Sequence, residues 1–150
     1  MADRFKLIPA VYVILRQDNR ILLHQRANSG YHDGMYGLVS GHLEGDELAT
    51  DALVREAKEE AGINIDPADL KFVHLMHRLG RGQIGQERVD IFFECSNWTG
   101  EITNVEPEKC TDLTWFKADK LPKNTIPVIR RVLGDVGSGI SFSEYLMEPK

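Results

Sequence analysis

The sequence of 150 residues is poor in the features that mark several protein classes. It has only two cysteines, Cys95 and Cys110, which form no C-x-x-C pair. Two lone cysteines predict reduced thiols, as in a cytoplasmic protein. No stretch approaches the roughly 20 apolar residues that a membrane span requires. Basic residues are also outnumbered, and the net charge is −5. That balance argues against a nucleic-acid polymer as partner, since such proteins usually carry a basic stripe.

The composition predicts one soluble domain. Hydrophobic residues make up 42% of the chain and charged residues 27%, as in globular proteins of this length. Leu7–Leu15 is apolar, but Pro9 interrupts it and no small-residue cleavage site follows, so a signal peptide is not expected. With no internal repeat or linker, we expect one domain over residues 1–150 in the cytoplasm, with no membrane partner. A small polyphosphate partner stays compatible with the negative charge, because a bound metal ion reverses the local field.

Hydrophobic patterning predicts strands and helices that interleave without a strict βαβ rhythm. The first connection is a hairpin, so we expect a mixed sheet with helices on both faces, an α/β fold. Thr125 is the predicted N-cap of the second helix, Pro127 lies in its first turn and Gly134 ends it. We expect a mobile loop at Arg81–Gly85 and a partly ordered tail at residues 135–150. The predicted strands are Ala10–Arg16, Ile21–Arg26, Met35–Ser40, Lys71–Arg78, Arg88–Cys95 and Leu113–Phe116, and the predicted helices are Glu47–Ala61 and Thr125–Leu133.

The first predicted helix is unusually rich in glutamate. At about 100° per residue, Glu56, Glu59 and Glu60 fall within a sector of roughly 100°, so their carboxylates converge. Asp46 is the expected N-cap, and Gly62 lies where a left-handed residue ends a helix. Carboxylates this close repel each other unless a cation neutralises them. Hard oxygen ligands favour Mg²⁺ or Mn²⁺ over Zn²⁺.

A solvated acidic face is the ordinary explanation for a glutamate-rich helix. The residues around this helix argue against it, because Gly41, Glu47 and Gly62 stand at fixed distances from the acids. A plain helix surface has no need of a glycine on either side.

Residues 41–63 resemble the Nudix box, G-x5-E-x7-R-E-U-x-E-E-x-G-U, where U is a bulky aliphatic residue. Only Ala57, at the first U position, is smaller than the family pattern. The resemblance extends over about residues 5–134, although only the box is highly specific. It implies the Nudix fold, an α/β/α sandwich with a mixed sheet. The matching positions are Gly41, Glu47, Arg55, Glu56, Glu59, Glu60, Gly62 and Ile63.

The resemblance implies an enzyme that uses Mg²⁺, with Mn²⁺ as a substitute, to hydrolyse a nucleoside diphosphate linked to another group. It assigns Glu56, Glu59 and Glu60 as metal ligands, and Glu56 also as a candidate general base. The backbone carbonyl of Ser40 is a further expected ligand, in a position where many relatives have glycine. Other implied roles are orientation of an acid by Arg55, substrate binding at Gly41, and structural support from Glu47 and Gly62.

Outside the box the candidates are weaker. A further acid after the box often completes such a site, and Glu108 is favoured over Glu106. Solvated loop acids are the ordinary alternative for both. Arg26 ends a strand near the expected cleft and is a candidate phosphate ligand, with a plain surface arginine as the alternative. The five histidines lack metal-ligand spacing and are expected to be structural or surface residues. Further candidates are Arg78, Arg81 and Arg88 for anionic substrate and Tyr31, Tyr36 and Phe5 for base stacking.

The leading substrate is a nucleoside triphosphate or a modified one, cleaved to monophosphate and pyrophosphate as in MutT-type enzymes. The S-Q-P-W-P-x-S pattern of NADH pyrophosphatases is absent. Leu79 stands where many ADP-ribose enzymes have proline. ADP-ribose, nucleotide sugars and dinucleoside polyphosphates remain alternatives, followed by a non-catalytic nucleotide-binding module. The sequence leaves open whether a homodimer forms.

Overall fold

The computed structural model describes residues 3–80 and 87–147, and this part of the chain forms eight strands and two α-helices. Neither of these helices has the length and apolarity that a membrane crossing requires. A turn of 3-10 helix follows the first α-helix. The elements are β1 (Ile8–Gln17), β2 (Arg20–Arg26), β3 (Tyr36–Gly37), β4 (Val39–His42), α1 (Ala49–Ala61), β5 (Lys71–Gly80), β6 (Arg88–Cys95), β7 (Cys110–Lys117), α2 (Pro127–Gly137) and β8 (Phe142–Met147).

The first strand, β1, organises the sheet. Its residues from Ile8 to Leu15 pair in parallel with β6, and four of them also pair antiparallel with β4. Its last two residues, Arg16 and Gln17, pair antiparallel with β2, which confirms the predicted hairpin. The main path runs β3-β2-β1-β6-β5-β8, with β4 added to β1 and β7 added to β2. Because β1–β6 and β5–β8 are parallel pairs and the others antiparallel, the sheet is mixed, as predicted.

The helices cover opposite faces of this sheet. Val11 and Val13 of β1 pack into a core that holds the buried face of α1. Ile14 points the other way, into a second core that includes α2. This alternation follows from the two-residue period of a strand. The α/β/α sandwich is thereby confirmed.

The predicted strand Met35–Ser40 is divided in two. Gly37 of β3 pairs with His24 of β2, whereas Val39 of β4 pairs with Val13 of β1. Leu38 lies between them, where the chain changes from one partner strand to the other. The other predicted strands are present, and several extend further than predicted.

The predicted boundaries of the first helix are wrong at its beginning. Asp46 is not its N-cap, since it has a left-handed backbone with φ of 53°. The helix begins at Ala49 after Leu48, and no side chain caps it. Its end is as predicted, because Gly62 is left-handed with φ of 71° and its N–H donates to the Lys58 carbonyl.

The second helix also differs from its prediction. Thr125 is not the N-cap; its hydroxyl donates to the Pro122 carbonyl instead, at 2.7 Å. Pro127 does begin the helix. Gly134 does not end it, because glycine in a helix costs only about 1 kcal/mol and the helix continues to Gly137 while its apolar face stays packed in the core.

The predicted tail is wrong for residues 135–147. These residues form the end of α2 and strand β8, which pairs in parallel with β5 from Leu75 to Gly80. The mobile loop predicted at Arg81–Gly85 lies outside the described residues, as do residues 148–150.

Candidate active site

A cleft of about 700 Å³ opens between β1, β2, β4, α1, the segment before β7, and the beginning of α2. Its volume lies within the roughly 300–1,000 Å³ of small-molecule sites. The cleft has both acidic and basic walls. The charged residues that line it are Glu56, Glu59, Glu60, Glu106, Arg26, Arg78, Arg88 and Lys109.

The acidic wall comes from α1. The helix buries Ala52, Leu53, Ala57 and Ala61 against the sheet. Small side chains let the helix approach the strands closely, so the adjacent face, with its glutamates, borders the cleft. Glu56, Glu59 and Glu60 all line the cleft from one side of α1.

Glu60 is the most enclosed of these acids. Its Oε2 accepts a hydrogen bond from the Ser40 N–H of β4 at 3.1 Å. Burial raises the pKa of Glu60 to about 8, and the charges of Glu56 and Glu106 add to the shift, while the Ser40 N–H and Arg26 oppose it. A carboxyl this costly to ionise needs a cation beside it to carry charge at neutral pH.

Glu56 lies directly against Gly41. A Cβ placed on Gly41 would overlap the Glu56 carboxylate, so a residue without a side chain is needed there. Burial raises the pKa of Glu56, and its hydrogen bond from Arg55 partly offsets that effect. Gly41 lines the cleft as well, and its contact with Glu56 gives a physical reason for the glycine in the motif.

Arg55 holds the acids from the side away from the cleft. Its Nη1 lies 2.8 Å from Glu56 Oε1 and 3.6 Å from Glu59 Oε2, and its Nη2 lies 3.0 Å from Glu47 Oε1. Glu47 comes first among the acids that raise the pKa of Arg55. Arg55 is not among the described residues that line the cleft. Its position is that of an orienting residue.

Glu47 explains why α1 begins late. Its Oε1 accepts hydrogen bonds from the Glu44 N–H and from Arg55 Nη2, both at 3.0 Å. These bonds hold residues 44–47 as a loop that folds over the helix. Glu47 therefore lies before α1, not in its first turn, and supports Arg55.

The donor set fits a hard divalent cation, although its members are not drawn together. Within the described residues, no group of three or more acids, histidines and cysteines is spaced to hold a metal ion. Glu56 is bound to Arg55 and Glu60 to Ser40, while the side chain of Glu59 is 53% exposed with only a long contact to Arg55.

The fourth acid differs from the one predicted. Glu108 is exposed and is not among the described cleft-lining residues, whereas Glu106 lines the cleft and faces Glu60. The Lys109 N–H donates to the Glu106 carbonyl at 2.9 Å, and Asn28 Nδ2 donates to the Glu108 carbonyl at 2.7 Å. This turn directs Glu106 into the cleft and Glu108 away from it, so the preference for Glu108 is wrong in geometry.

The basic wall is built around Tyr31. The guanidinium carbons of Arg26 and Arg88 lie 5.4 and 5.6 Å from the Tyr31 ring centroid. Arg26 Nε also donates to the Tyr31 carbonyl at 2.8 Å. Arg26 and Arg88 thus pack on the Tyr31 ring and line the cleft with it, which leaves cationic groups within reach of an anion. Arg78 also contacts Tyr31, because its Nη1 donates to the Tyr31 hydroxyl at 3.3 Å. Arg78 is different, since it is 2% exposed and forms a 2.6 Å ion pair with buried Asp90.

Sequence reasoning missed the histidines of the cleft. His24 and His42 both line it, although all five histidines were expected to be structural or surface residues. The position of His24 on β2, two residues before Arg26, was the one signal in the sequence that pointed to it.

Two of the candidates for base stacking lie elsewhere. Tyr36 donates to Asp112 at 2.6 Å and packs on Phe116, while Phe5 is 72% exposed.

A family comparison agrees with this geometry. The NUDIX domain model matches residues 6–135. The chain belongs to the Nudix family. The resemblance seen in residues 41–63 is confirmed, and this Nudix chain carries the family's acids on the helix that borders its cleft.

Individual relatives are more distant. The Nudix chain is similar to the NAD-capped RNA hydrolase NudC of Shigella dysenteriae and of Escherichia coli, at 26% identity over 132 residues in each case. That match covers 87% of this chain and 48% of NudC, so the chain spans about half the length of these curated relatives.

Solved structures give the same fold. A MutT NUDIX hydrolase from Burkholderia pseudomallei superposes with a TM-score of 0.78 at 25% identity, covering 87% of this chain and 98% of that one. A Mutator MutT protein from Bacillus halodurans has a TM-score of 0.77 at 20% identity, covering 95% and 92%. Nudix hydrolases generally use divalent metal ions, which agrees with the donor set of the cleft.

Proposed function

We propose that residues 1–150 form one Nudix hydrolase domain that cleaves nucleoside triphosphates, plain or modified, to monophosphate and pyrophosphate. One observation carries the proposal: Glu56, Glu59 and Glu60 line the same cleft as Arg26 and Arg88. Acids that hold a cation and arginines that bind phosphate are the two halves of a site for a metal-bound polyphosphate. A cytoplasmic location and a homodimer stay predictions.

The metal ligands in this proposal are Glu56, Glu59, Glu60 and the carbonyl of Ser40. When bound, Mg²⁺ supplies polarisation of the phosphoryl oxygens and offsets the charge that develops on the leaving phosphate. Arg26 binds the substrate's phosphates together with Arg88. Gly41 lets the substrate and the acids approach the β4 backbone closely, because it has no side chain to fill that space.

The proposed base is Glu56, which accepts a proton from the attacking water. Arg55 and Gly41 fix its carboxylate from two sides, so it is the best oriented of the three acids. Arg55 acts through Glu56 and Glu59 as a positioning residue. Glu106 replaces Glu108 as the additional acid of the proposal, since Glu106 is the one that faces Glu60.

A second substrate class is favoured by the relatives. The similarity to NudC, named as an NAD-capped RNA hydrolase, covers 87% of this chain. It favours a dinucleotide whose two halves are joined by a diphosphate. ADP-ribose, nucleotide sugars and dinucleoside polyphosphates contain the same type of linkage. A purely nucleotide-binding role is the weakest alternative, because Glu56, Glu59 and Glu60 are all present.

The test is product analysis on a substrate panel. Purified protein with Mg²⁺ is incubated with plain and 8-oxo-modified nucleoside triphosphates, NAD, ADP-ribose and nucleotide sugars, and the products are separated by chromatography. We expect monophosphate and pyrophosphate from triphosphates. Orthophosphate alone would contradict the assigned bond, and turnover only of NAD or ADP-ribose would establish the second class.

Three variants locate the activity. Glu59→Gln and Glu60→Gln should each lower kcat by orders of magnitude, because each removes a metal-ligand charge. Asp51→Asn is the matched control: Asp51 is also on α1 but exposed and outside the cleft lining of the described chain, so its loss should change little. Equal losses in all three variants would show an effect on the helix instead of the site.

A further inference from the structure

His24 is a buried histidine of the cleft lining, and one of its ring nitrogens has no hydrogen-bond partner among the described residues. It lies on β2, is 7% exposed and lines the cleft. Among the described residues, no group forms a hydrogen bond with its Nε2. His74 shows the usual structural arrangement, because Nδ1 bonds to the Ile140 carbonyl at 2.9 Å and Nε2 to Ser143 Oγ at 2.7 Å. Buried polar atoms are nearly always paired, so the free nitrogen of His24 points to a ligand.

Whether Nε2 donates or accepts a hydrogen bond depends on the bond that the other ring nitrogen makes. A hydrogen bond with the Leu38 backbone stabilises the protonated ring of His24, so the ring N–H donates to the Leu38 carbonyl. Because Nε2 is unpaired, the donor is Nδ1, and the neutral ring presents a lone pair at Nε2. Burial and the charge of Arg26 lower the pKa of His24 to about 4, which keeps the ring neutral at physiological pH.

The side chains around Nε2 are apolar. A Cβ on Gly37 would lie 3.9 Å from His24 Nε2 and 3.1 Å from Ile126 Cδ1. Leu38, Val128 and Ile129 line the cleft nearby. A flat, apolar group with one polar edge suits such a place, and a nucleobase has that character.

The phosphate site lies next to this pocket. Arg26 follows His24 by two residues on β2, about 7 Å along the strand, and both line the cleft. Arg26 also acts on Glu60 electrostatically. A nucleotide with its phosphates at Arg26 and the acids therefore has its base within reach of His24.

We propose that His24 is a specificity-determining residue whose Nε2 accepts a hydrogen bond from the exocyclic amino group of the substrate's nucleobase. Gly37 and Ile126 wall this base pocket. The inference rests on the proposed function, since it assumes that the cleft binds a nucleotide. His24 would select bases that carry an N–H donor at the edge facing Nε2. Analogues that lack this donor would bind less well, because Nε2 then stays buried and unpaired.

The kinetic test compares nucleotides that differ by one amino group. Triphosphates of adenosine and of purine riboside form one pair, and those of guanosine and inosine form another. We expect the wild type to prefer the amino-bearing member of at least one pair by about 10- to 100-fold in kcat/KM. His24→Leu should abolish the preference, and His24→Gln should keep part of it because its amide oxygen also accepts.

His74→Leu is the matched control, as a buried histidine outside the described cleft lining. It should lower stability without changing the preference. A preference that survives in His24→Leu, or equal rates of the wild type with both members of each pair, would overturn the proposal.

A binding measurement separates this inference from the proposed function. The ¹⁵N resonance of His24 Nε2 is followed by NMR while AMP, GMP, IMP or purine riboside monophosphate is added without metal. We expect a shift characteristic of an acceptor with amino-bearing bases only. A selective shift without any triphosphate turnover would refute the function and keep the base contact, whereas turnover with an unresponsive His24 would refute the contact alone.

Discussion

Gly41 has no side chain, yet it determines where a charged neighbour lies. A methyl group at this position would occupy the space of the Glu56 carboxylate. Gly41→Ala should therefore displace Glu56 and lower kcat by about 100-fold, the order expected for a misplaced catalytic group. Steady-state kinetics with the best substrate of the panel, together with a melting curve, would measure both effects.

Gly134→Ala is the control for that substitution. A Cβ on Gly134 meets no described atom within 4 Å, and the residue lies inside α2. Alanine should stabilise the protein by about 0.5–1 kcal/mol there and leave kcat unchanged. Unaltered kinetics in Gly41→Ala would mean that Glu56 works from another position or is not needed.

His24 also makes the stability of the protein depend on pH. Burial and Arg26 lower its pKa from 6.5 to about 4 in the folded state. Between these values the unfolded chain binds the extra proton, so stability is lost as pH falls from about 6.5 to about 4. The contribution is at most roughly 3 kcal/mol.

Urea unfolding at several pH values between 4 and 7 would test this. The free energy of unfolding should fall less steeply with decreasing pH in His24→Gln than in the wild type. Identical slopes for His24→Gln and the wild type would contradict a neutral buried His24.

Residue-scale prediction from sequence succeeded where spacing along one helix decides the geometry. Glu56, Glu59 and Glu60 share a face because of the helical repeat alone. The choice between Glu106 and Glu108 depended on a turn held by Asn28, 80 residues away. The pocket of His24, Gly37 and Ile126 depends on strand pairing and on packing of α2. Such contacts leave no periodic signal in the sequence.

At the scale of elements, β8 is the strand that sequence reasoning did not predict. Its six residues follow a polar, glycine-containing segment and lack strong alternation, so the pattern favours a loose tail. The hydrogen bonds of its pairing with β5 stabilise the strand, although its local strand propensity is weak. In addition, Ser143 of β8 hydrogen-bonds His74, which is fully buried on β5. Tertiary contacts thus outweigh weak local preference here.

Ser143→Ala would test how firmly β8 is joined to the sheet. The His74 Nδ1–H must donate to the Ile140 carbonyl, so Nε2 accepts from the Ser143 hydroxyl. Removing that hydroxyl leaves a buried nitrogen unpaired and should cost about 1–3 kcal/mol. Ser141→Ala is the control, because the Ser141 side chain is exposed and the residue directly precedes β8. It should change stability by less than about 0.5 kcal/mol. Denaturant unfolding of both variants gives the comparison, and equal stability would show that β8 is not closely packed on β5.

At the scale of the whole molecule, the cleft brings charges of both signs together, with three of its acids on α1. Four acids line the cleft, and three of them repel one another on α1. A bound divalent cation should therefore stabilise the folded protein, by about 2.7 kcal/mol at 100 times its Kd. For a chain of this length that corresponds to a rise of about 5–10 °C in Tm.

Thermal melting in EDTA and in a Mg²⁺ titration would measure the rise. Glu60→Gln should melt no lower than the wild type in EDTA, because burial raises the pKa of Glu60 to about 8 and glutamine then replaces a carboxyl that is already largely protonated. Its response to Mg²⁺ should be much reduced. Asp51→Asn should respond as the wild type does. A Tm that Mg²⁺ does not change in any of the three would remove the cation from the proposed site.

The alternation along β1 has a consequence for how this chain tolerates changes in length. Val11 and Val13 serve one core and Ile14 the other. One inserted residue in the middle of β1 would exchange these faces downstream and send side chains into the wrong core. It would also shift the β1 residues that pair with β4, and so displace Ser40 and Gly41 of β4. The turn at Asp18 and Asn19 does not supply side chains to both cores. Engineered or natural insertions are thus expected to accumulate at that turn and to be absent from the strand before it.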